Sequence, residues 1–260
     1  MKSAMNKLNE FIEQNDPTVG TFLFSRSPAA LEVLAEVGFD FVVIGAEHFM
    51  INPETIEQLI TTAEAANIVP FVRVQENVDL IQRVLDCGAQ GIVSPMINTV
   101  EQAEEVVKAA KFPPIGERGV GNPRSTCYGI QGGDYLNRCY ERQNESQVVI
   151  LQIETKEAVE NLEDIAKVNG VDSLFVGPWD LSHSLERPDR DNGSELLEEK
   201  LSEIVAKCKK IGLPAGIFAW DSKEANKRIK QGFDYTICSG DVIFLANSAR
   251  EELARIEEQS

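Results

Sequence analysis

The chain is poor in histidine, in tryptophan and in positive charge. Of its 260 residues only 2 are histidine and 2 are tryptophan, while 25 lysines and arginines face 42 aspartates and glutamates. The formal net charge of −17 argues against binding to nucleic acid or to anionic membranes, whose phosphates need a basic surface. A small anionic substrate is still compatible with this charge where a few arginines make a local positive pocket.

Cysteine is scarce, and long apolar runs are missing. The 5 cysteines are odd in number and form no Cys-x-x-Cys pair, which argues against a disulfide framework or a zinc site and indicates free thiols in a reducing compartment. No apolar run reaches the length of a membrane span, and the stretch MKSAMNKLNEFIEQN lacks the apolar segment of a signal peptide. We therefore expect a cytoplasmic protein.

Strand-like runs and helix-like runs alternate along the chain. The strand candidates are nearly all apolar: TFLF (21–24), FVVI (41–44), PFVRV (70–74), GIVSP (91–95), VVILQIE (148–154), SLFVG (173–177), PAGIF (214–218) and DYTIC (234–238). Segments with helical periodicity lie at 28–37, 53–66, 78–87, 99–110, 157–167, 195–211, 222–231 and 241–257. Such strands are typical of a parallel sheet covered by helices. Eight βα units in 260 residues predict an α/β protein with a closed (β/α)8 TIM barrel, forming a single domain over residues 1–260.

Two further features bear on this prediction. An open, doubly wound sheet normally carries a glycine-rich phosphate turn after its first strand, whereas here that turn reads SRSPAA. The one long interruption of the βα pattern is 111–147, and a connection of that length is usually functional or partly disordered. We expect this loop, together with residues of a neighbouring subunit, to contribute to substrate specificity.

In a barrel of this kind the active site forms at the carboxyl ends of the strands. The polar residues expected at that end are Glu47, His48, Arg73, Gln152, Glu154, Asp180 and Ser239. Arg73 lies between two valines in a buried strand, so it requires an anion nearby. Gln152 and Glu154 share one face of their strand because side chains alternate, and they point inward if Ile153 packs outward.

Glu154 and Asp180 follow neighbouring strands, so their carboxylates can meet. Two carboxylates without a nearby imidazole or thiolate form a hard-oxygen site that suits Mg²⁺ or Mn²⁺. The competing interpretation is a rim carboxylate and a helix cap. Lys156 offers a Schiff-base alternative, although its position at a helix start favours a solvated lysine.

His48 is the one evident general base, because histidine is the side chain that ordinarily titrates near neutral pH. Its competing interpretation is a satisfied histidine in the barrel wall. Asp86 ends the third helix and is interpretable as a plain helix-end carboxylate. The segment GERGVGNPR (116–124) brings Arg118 and Arg124 together among glycines and could hold a carboxylate or phosphate, but it lacks the context of a P-loop.

These residues also carry a family resemblance. The segments GFDFVVIGAEH, PFVRV, VLDCGAQGIVSPM, PPIGERGVG, LQIET and GVDSLFVGPWDLSHSL occur in the order that is typical of the HpcH/HpaI class II pyruvate aldolases. That family includes 2-keto-3-deoxy-glucarate and 4-hydroxy-2-oxo-heptanedioate aldolases and belongs to the phosphoenolpyruvate/pyruvate barrel superfamily. The resemblance covers residues 18–245, and its LQIET and VGPWDLS segments are specific.

The resemblance implies a role for the metal and enolate residues. Glu154 and Asp180 would bind a divalent cation, Mg²⁺ or Mn²⁺ with Co²⁺ as a further option. Gln152 would line the pyruvate site, and Arg73 would stabilise the enolate oxygen.

The resemblance also implies roles for residues that a pattern alone does not assign. The backbone of Gly177, Pro178 and Trp179 would hold the substrate carboxylate. His48, paired with Asp86, would act as the base through a water on the metal.

The family pattern further suggests a homo-oligomer, a trimer or a hexamer, in which the C-terminal helix 241–257 is exchanged between subunits. One departure stands out: members typically have an aspartate in the D-x-E-H motif of strand two, where this chain has Gly45. The metal and enolate residues are unaffected by this difference. The carboxylate that usually lies near the histidine is missing, and this bears on the proton-transfer step and on the range of aldehydes.

We therefore expect a divalent-metal-dependent aldolase that cleaves a 4-hydroxy-2-oxo acid to pyruvate and an aldehyde through a metal-stabilised enolate. One alternative is decarboxylation of oxaloacetate or a related 2-oxo diacid, which needs the same enolate stabilisation but no base for an aldol hydroxyl. The other is a keto-acid-binding protein with little turnover.

Overall fold

A computed structural model of the chain describes residues 18–75, 78–185 and 193–257. The N-terminal stretch MKSAMNKLNEFIEQN, in which no signal peptide is expected, lies outside these residues. Eight parallel strands form a closed barrel in which each strand pairs with the next and the last pairs with the first. The strands are β1 Thr18–Leu23, β2 Phe41–Gly45, β3 Val69–Arg73, β4 Gly91–Ser94, β5 Val148–Ile153, β6 Ser173–Val176, β7 Ala215–Ala219 and β8 Tyr235–Gly240. The predicted (β/α)8 barrel is confirmed, and the doubly wound sheet is excluded.

Helices connect the strands and cover the outside of the barrel. They are α1 Pro28–Glu36, α2 Pro53–Ala65, α3 Val78–Asp86, α4 Val100–Ala110, α5 Gly133–Ser146, α6 Lys156–Glu160, α7 Leu162–Ile165, α8 Pro178–Leu185, α9 Gly193–Ile211, α10 Ser222–Gln231 and α11 Asp241–Glu257. Their starts follow local chemistry: Ser27 and Asn52 cap α1 and α2 by accepting a backbone N–H, and each is followed by a proline. Within the described ranges, no helix is both long and apolar enough to cross a bilayer.

Two apolar cores follow from the alternation of side chains along the strands. One fills the space between barrel and helices, and it includes Ile153 of β5. The other fills the barrel interior with large rings, among them Phe41, Phe71 and Tyr235. Glycine makes room for these rings, since a Cβ on Gly20 would lie 2.2 Å from the ring of Phe41. The rings close the lower barrel and leave the carboxyl ends of the strands for polar side chains.

The long connection 111–147 is more ordered than its composition predicts. It contains a 3₁₀ helix at Arg124–Gly129 and the 14-residue helix α5. The buried ammonium of Lys111 anchors it by donating to the backbone oxygens of Asn144 and Gln147 and to Asp172. Because it joins the end of α4 to the start of β5, this segment lies at the amino ends of the strands. Within one chain the loop therefore lies away from the carboxyl ends of the strands, and its contribution to the substrate site of a neighbouring subunit stays a prediction.

Candidate active site

Arg73 ends β3 inside the mouth of the barrel and forms an ion pair there. Its Nε lies 3.0 Å from Oε2 of Glu47, and both side chains are buried. The two atoms lack hydrogen-bond geometry, so position rather than a directed hydrogen bond holds the pair. The guanidinium carbon lies 4.5 Å from the ring centre of Phe22. Burial lowers the pKa of Arg73, and the charges of Glu47, Glu154 and Asp180 oppose that change.

The carboxylate of Glu154 is held on both oxygens. Oε1 accepts the backbone N–H of Met96 at 2.7 Å, and Oε2 accepts the side-chain amide of Gln152. Gly177 packs against the same carboxylate, and a Cβ added there would lie 2.7 Å from Oε2. The inward orientation of Gln152 and Glu154 agrees with the alternation, because Ile153 packs outward into the helix layer.

The environment of Glu154 disfavours its charge. Burial above all, with the neighbouring charges of Asp180 and Glu47, raises the pKa of Glu154 to about 7 against the hydrogen bonds from Gln152 and Met96. Asp180 lies in the first turn of α8 and is exposed to solvent. A strongly perturbed carboxyl group in a barrel mouth is typical of a functional site.

The charges of this mouth suit a divalent cation. Three carboxylates, Glu47, Glu154 and Asp180, interact with the single guanidinium of Arg73, so the ionised set carries an excess of two negative charges. The side-chain oxygen of Gln152 is buried without a hydrogen-bond partner among the residues that the structure describes. Among the described residues no group of three or more histidine, cysteine, aspartate or glutamate side chains could hold a metal ion. The charge excess and the Gln152 oxygen, rather than a larger cluster of ligands, are what suit Glu154 and Asp180 to a hard cation that keeps water or substrate oxygens as its other ligands.

His48 lies on the rim of the mouth. Its side chain is 63% exposed, and its Nε2 lies 3.5 Å from Oε1 of Glu47. Asp86, by contrast, ends α3 at the amino ends of the strands, where it accepts a hydrogen bond from Arg118. The structure does not bring Asp86 to His48 within one chain, because helix ends and strand ends lie on opposite sides of a βα barrel.

The turn from β6 into α8 presents backbone donors to the mouth. Gly177 and Pro178 are buried, whereas the Trp179 side chain is exposed. Leu181 is the first residue of this turn whose N–H bonds back within the helix, to the carbonyl of Gly177. The preceding N–H groups of Trp179 and Asp180 belong to a helix N-terminus, which attracts carboxylates.

Two other sequence candidates take no part in the mouth. Lys156 is exposed, with its Nζ 3.8 Å from Oε1 of Glu160, so the solvated-lysine interpretation holds over the Schiff-base one. Arg118 pairs with Asp86, and Arg124 pairs with Glu64. The proposed anion site at these two arginines is wrong, since both are neutralised at the amino ends of the strands.

Sequence reasoning missed three contributions to the site. Glu47 is the ion-pair partner of Arg73, and the strand-end rule placed it nearby without pairing it. Met96 contributes its backbone N–H from a left-handed conformation with φ of 59°, for which an apolar side chain provides no signal. Phe22 lies beneath Arg73. Ser239, foreseen at the end of β8, has φ of 58° and a buried hydroxyl without a partner in the described part of the chain.

Comparisons with known proteins show the family to which this chain is related. The family model described as HpcH/HpaI aldolase/citrate lyase matches residues 18–247. A 2-dehydro-3,6-dideoxy-6-sulfogluconate aldolase of Pseudomonas putida is 32% identical over 95% of this chain and 95% of its own length. A 2-keto-3-deoxy-L-rhamnonate aldolase of Salmonella gallinarum is 32% identical over 96% of this chain and 92% of its own.

A solved structure resembles the whole barrel. The crystal structure of a HpcH/HpaI aldolase/citrate lyase family protein from Burkholderia cenocepacia has a TM-score of 0.87 at 31% identity, and covers 97% of this chain and 99% of its own. Both the family model and the solved structure match the part of the chain that contains all the strands of the barrel. The chain belongs to the HpcH/HpaI aldolase/citrate lyase family.

Proposed function

We propose that the protein is a divalent-metal-dependent aldolase that cleaves a 4-hydroxy-2-oxo acid to pyruvate and an aldehyde. The observation that carries this proposal is the buried Glu154, whose pKa rises to about 7 beside Asp180 and Glu47 and across from Arg73. The similar proteins named as aldolases of deoxy sugar acids support the reaction class. The surplus negative charge supports a cation, with Mg²⁺, Mn²⁺ and Co²⁺ as the candidates.

Glu154 and Asp180 would hold the cation, which would supply Lewis acidity toward the keto oxygen of the substrate. Arg73 places a fixed positive charge in a buried site where negative charge develops on that oxygen during cleavage. Its charge is already oriented by Glu47, so little reorganisation accompanies the reaction. Gln152 would orient the 2-oxo acid through the amide beside Glu154.

The carboxylate of the substrate needs donors of its own. The N–H groups at the start of α8, after Gly177 and Pro178, would donate hydrogen bonds to it. Trp179 and Asp180 supply these N–H groups, which places the carboxylate next to the cation ligand. This arrangement would hold the 2-oxo acid through both its carboxylate and its keto group.

Cleavage also needs a base for the 4-hydroxyl proton. His48 stands at the rim, with Glu47 3.5 Å from its Nε2 to orient the ring and balance its positive charge. We propose His48 for this role and leave Asp86 with Arg118, since in a single chain they lie at the other end of the barrel.

The test is pyruvate release from a panel of 4-hydroxy-2-oxo acids, followed with lactate dehydrogenase. We expect activity to disappear with EDTA, to return with Mg²⁺ or Mn²⁺, and to be lost in Glu154→Gln. Glu157→Gln is the matched control, because it neutralises an exposed carboxylate three residues away. Activity that is indifferent to chelation and to Glu154→Gln would rule out the metal-dependent aldolase. Metal-dependent pyruvate binding without turnover would instead identify a binding protein.

Decarboxylation of a 2-oxo diacid is the second candidate. The exposed position of His48 favours it, because this reaction needs the enolate-stabilising residues but no base for a hydroxyl group. Oxaloacetate is the substrate to test beside the aldol panel. Retention of CO₂ release in His48→Ala, together with loss of aldol cleavage, would show that decarboxylation does not need this base, and loss of both reactions in Glu154→Gln would assign them to one site.

We also propose a homo-oligomer, in which the single barrel domain exchanges helix α11. Leu245, Leu253 and Ile256 of this helix are large apolar side chains that are exposed in the single chain. Apolar side chains on one exposed helix are typical of a subunit contact. Light scattering should report a trimer or hexamer for the wild type and a smaller species for Leu253→Lys. A monomeric wild type would contradict the proposal.

A further inference from the structure

The barrel mouth has two unlike halves. The polar half is formed by Glu47, Arg73, Gln152 and Glu154. The other half is a continuous series of aromatic side chains, here called the aromatic arc. Its members are Phe49, Phe24, Phe22, Phe218, Trp220 and Trp179.

Successive rings of the arc are in contact. Their centroids are separated by 4.8 Å for Phe49 and Phe24, by 5.1 Å for Phe24 and Phe22, and by 5.9 Å for Phe22 and Phe218. The series continues at 5.0 Å from Phe218 to Trp220 and ends at 6.1 Å on Trp179. It therefore runs from the neighbour of His48 to the neighbour of Asp180, and on the way the backbone N–H of Phe24 donates to the carboxylate of Asp241.

Phe24 occupies its place because two strands have glycine beside it. A Cβ on Gly45 would lie 2.9 Å from Cδ1 of Phe24, and a Cβ on Gly240 would lie 2.5 Å from Cε2. Distances this short do not occur for real Cβ atoms, so a side chain at either position displaces the ring. The missing carboxylate at position 45 and the ring of Phe24 are thus one feature: an apolar surface fills the gap beside His48.

The arc is open to a ligand. The side chains of Phe49, Trp179 and Trp220 are 41%, 61% and 47% exposed, although large aromatic residues usually bury most of their surface. The arc also meets the polar half directly, since the guanidinium of Arg73 lies over the ring of Phe22. A 2-oxo acid held by the polar half therefore has the arc as its neighbour.

We propose that the aromatic arc selects the aldehyde half of the substrate, and that this half is an apolar chain or ring rather than a polyhydroxylated chain. This inference rests on the proposed aldolase function and names the substrate class of the same site. The substrates are 4-hydroxy-2-oxo acids whose carbon 4 carries an apolar group. A hydroxylated chain on this surface loses hydrogen bonds to water, and the ring faces of the arc do not replace them.

The chemistry requires no further reactant. In cleavage, the bond between carbons 3 and 4 breaks and the 4-hydroxyl gives up its proton to become the aldehyde carbonyl. The electron pair stays on carbon 3, which takes a proton and becomes the methyl group of pyruvate. No atom is oxidised or reduced by an outside agent, so the aldehyde leaves with whatever apolar group it carried, and the arc contacts only that group.

The experiment compares two acceptors in the direction of synthesis, with pyruvate and Mn²⁺ or Mg²⁺. Pentanal and glyceraldehyde have equal numbers of non-hydrogen atoms, and their kcat/KM values are corrected for hydration of each aldehyde. We expect the wild type to prefer pentanal by about tenfold or more, and Phe24→Ala to reduce that preference by about tenfold. The ratio of the two values cancels any loss of activity that is common to both acceptors.

Phe39→Ala is the matched control. It removes a half-buried ring that packs on Phe244 at the amino end of β2, so the acceptor ratio should equal that of the wild type. Phe49→Ala, which removes an exposed ring stacked on Phe24, replaces Phe24→Ala if that variant does not fold. A wild type without preference for pentanal overturns the inference, and so does a ratio unchanged in both arc variants.

Failure of the proposed function gives a different result. Exchange of the pyruvate methyl protons with deuterium, followed by NMR, reports enolate formation and involves no acceptor. If the wild type exchanges these protons but has equal kcat/KM values for the two acceptors, it has the proposed function and lacks the selectivity. Wild-type protein with no metal-dependent exchange lacks the function itself.

Discussion

Replacing Glu154 with glutamine tests whether this carboxylate is held in a place that disfavours its charge. Glu154 is 2% exposed, and its pKa rises from an ordinary 4.5 to about 7, chiefly through burial. Glutamine has the same shape without the charge. The N–H of Met96 still finds an oxygen, and the unpartnered oxygen of Gln152 can accept the new amide once the Gln152 amide turns over. The substitution therefore removes the charge and preserves the packing.

The sign of the pH effect follows from the direction of the pKa change. Because the pKa is higher in the folded state, the folded protein keeps a proton that the unfolded chain loses between pH 4.5 and about 7. The free energy of unfolding of the metal-free protein therefore falls as pH rises through this window and levels off above it. Each pKa unit corresponds to about 1.4 kcal/mol, so the contribution of Glu154 to this fall is about 3 kcal/mol.

Urea unfolding in EDTA across this pH range measures the effect. Glu154→Gln and the wild type should have similar stability at about pH 5. At about pH 8 the variant should be more stable by about 3 kcal/mol. Added Mn²⁺ should stabilise the wild type at the higher pH by binding the ionised carboxylate, and the variant much less. The exposed-site variant Glu157→Gln should follow the wild type. A stability difference between Glu154→Gln and the wild type that is independent of pH would refute the reasoning, because Glu154 would then ionise as an ordinary carboxylate.

Three further substitutions test separate parts of the structure. Arg73→Lys keeps a positive charge but loses the planar guanidinium over Phe22, and kcat should fall by about 100-fold in the pyruvate-release assay. Gly177→Ala adds a Cβ that would lie 2.7 Å from Oε2 and 3.2 Å from Cβ of Glu154, so the displaced carboxylate should weaken metal affinity by about tenfold or more, measured by calorimetry. Lys111→Met removes the buried ammonium at the amino end of the barrel and should lower the free energy of unfolding by about 3 kcal/mol without changing KM.

Each of these variants has a matched control. Arg83→Lys changes an exposed arginine on α3, and kcat should stay at the wild-type value. Gly133→Ala adds a Cβ that meets nothing within 4 Å, so metal affinity should be unchanged. Lys108→Met removes an exposed lysine on α4, the helix that ends just before Lys111. The free energy of unfolding should change little. Equal losses in a variant and its control would contradict the assigned contact.

The order of the elements and much of the site could be predicted, because both depend on local patterns. Apolar runs separated by helical segments are sufficient to predict the barrel, and alternation places Gln152 and Glu154 on one inner face. Capping residues such as Thr99, whose side chain accepts the N–H of Gln102, are equally local. The pattern failed for 111–147, where polar and glycine residues conceal helix α5.

Contacts between distant segments could not be predicted. Nothing local to GAEH states that Glu47 meets Arg73, a residue of the next strand. The segment GERGVGNPR suggested an anion site because its arginines are evident in the sequence, whereas the carboxylates that pair with them lie far away in the chain. Asp86 is a different case, because its position at the end of the third helix already places it at the amino ends of the strands, and only the resemblance paired it with His48.

By itself the sequence determined the chemistry available at each strand end, because period-two alternation and the βα order act over a few residues. It also determined the absence of a carboxylate at position 45. Only the tertiary structure decided what fills that position. Closure of the barrel brings β8 beside β1 and β1 beside β2, and so places Phe24 between Gly45 and Gly240, which are far apart in the chain. The same closure sets the aromatic arc opposite the charged half of the mouth.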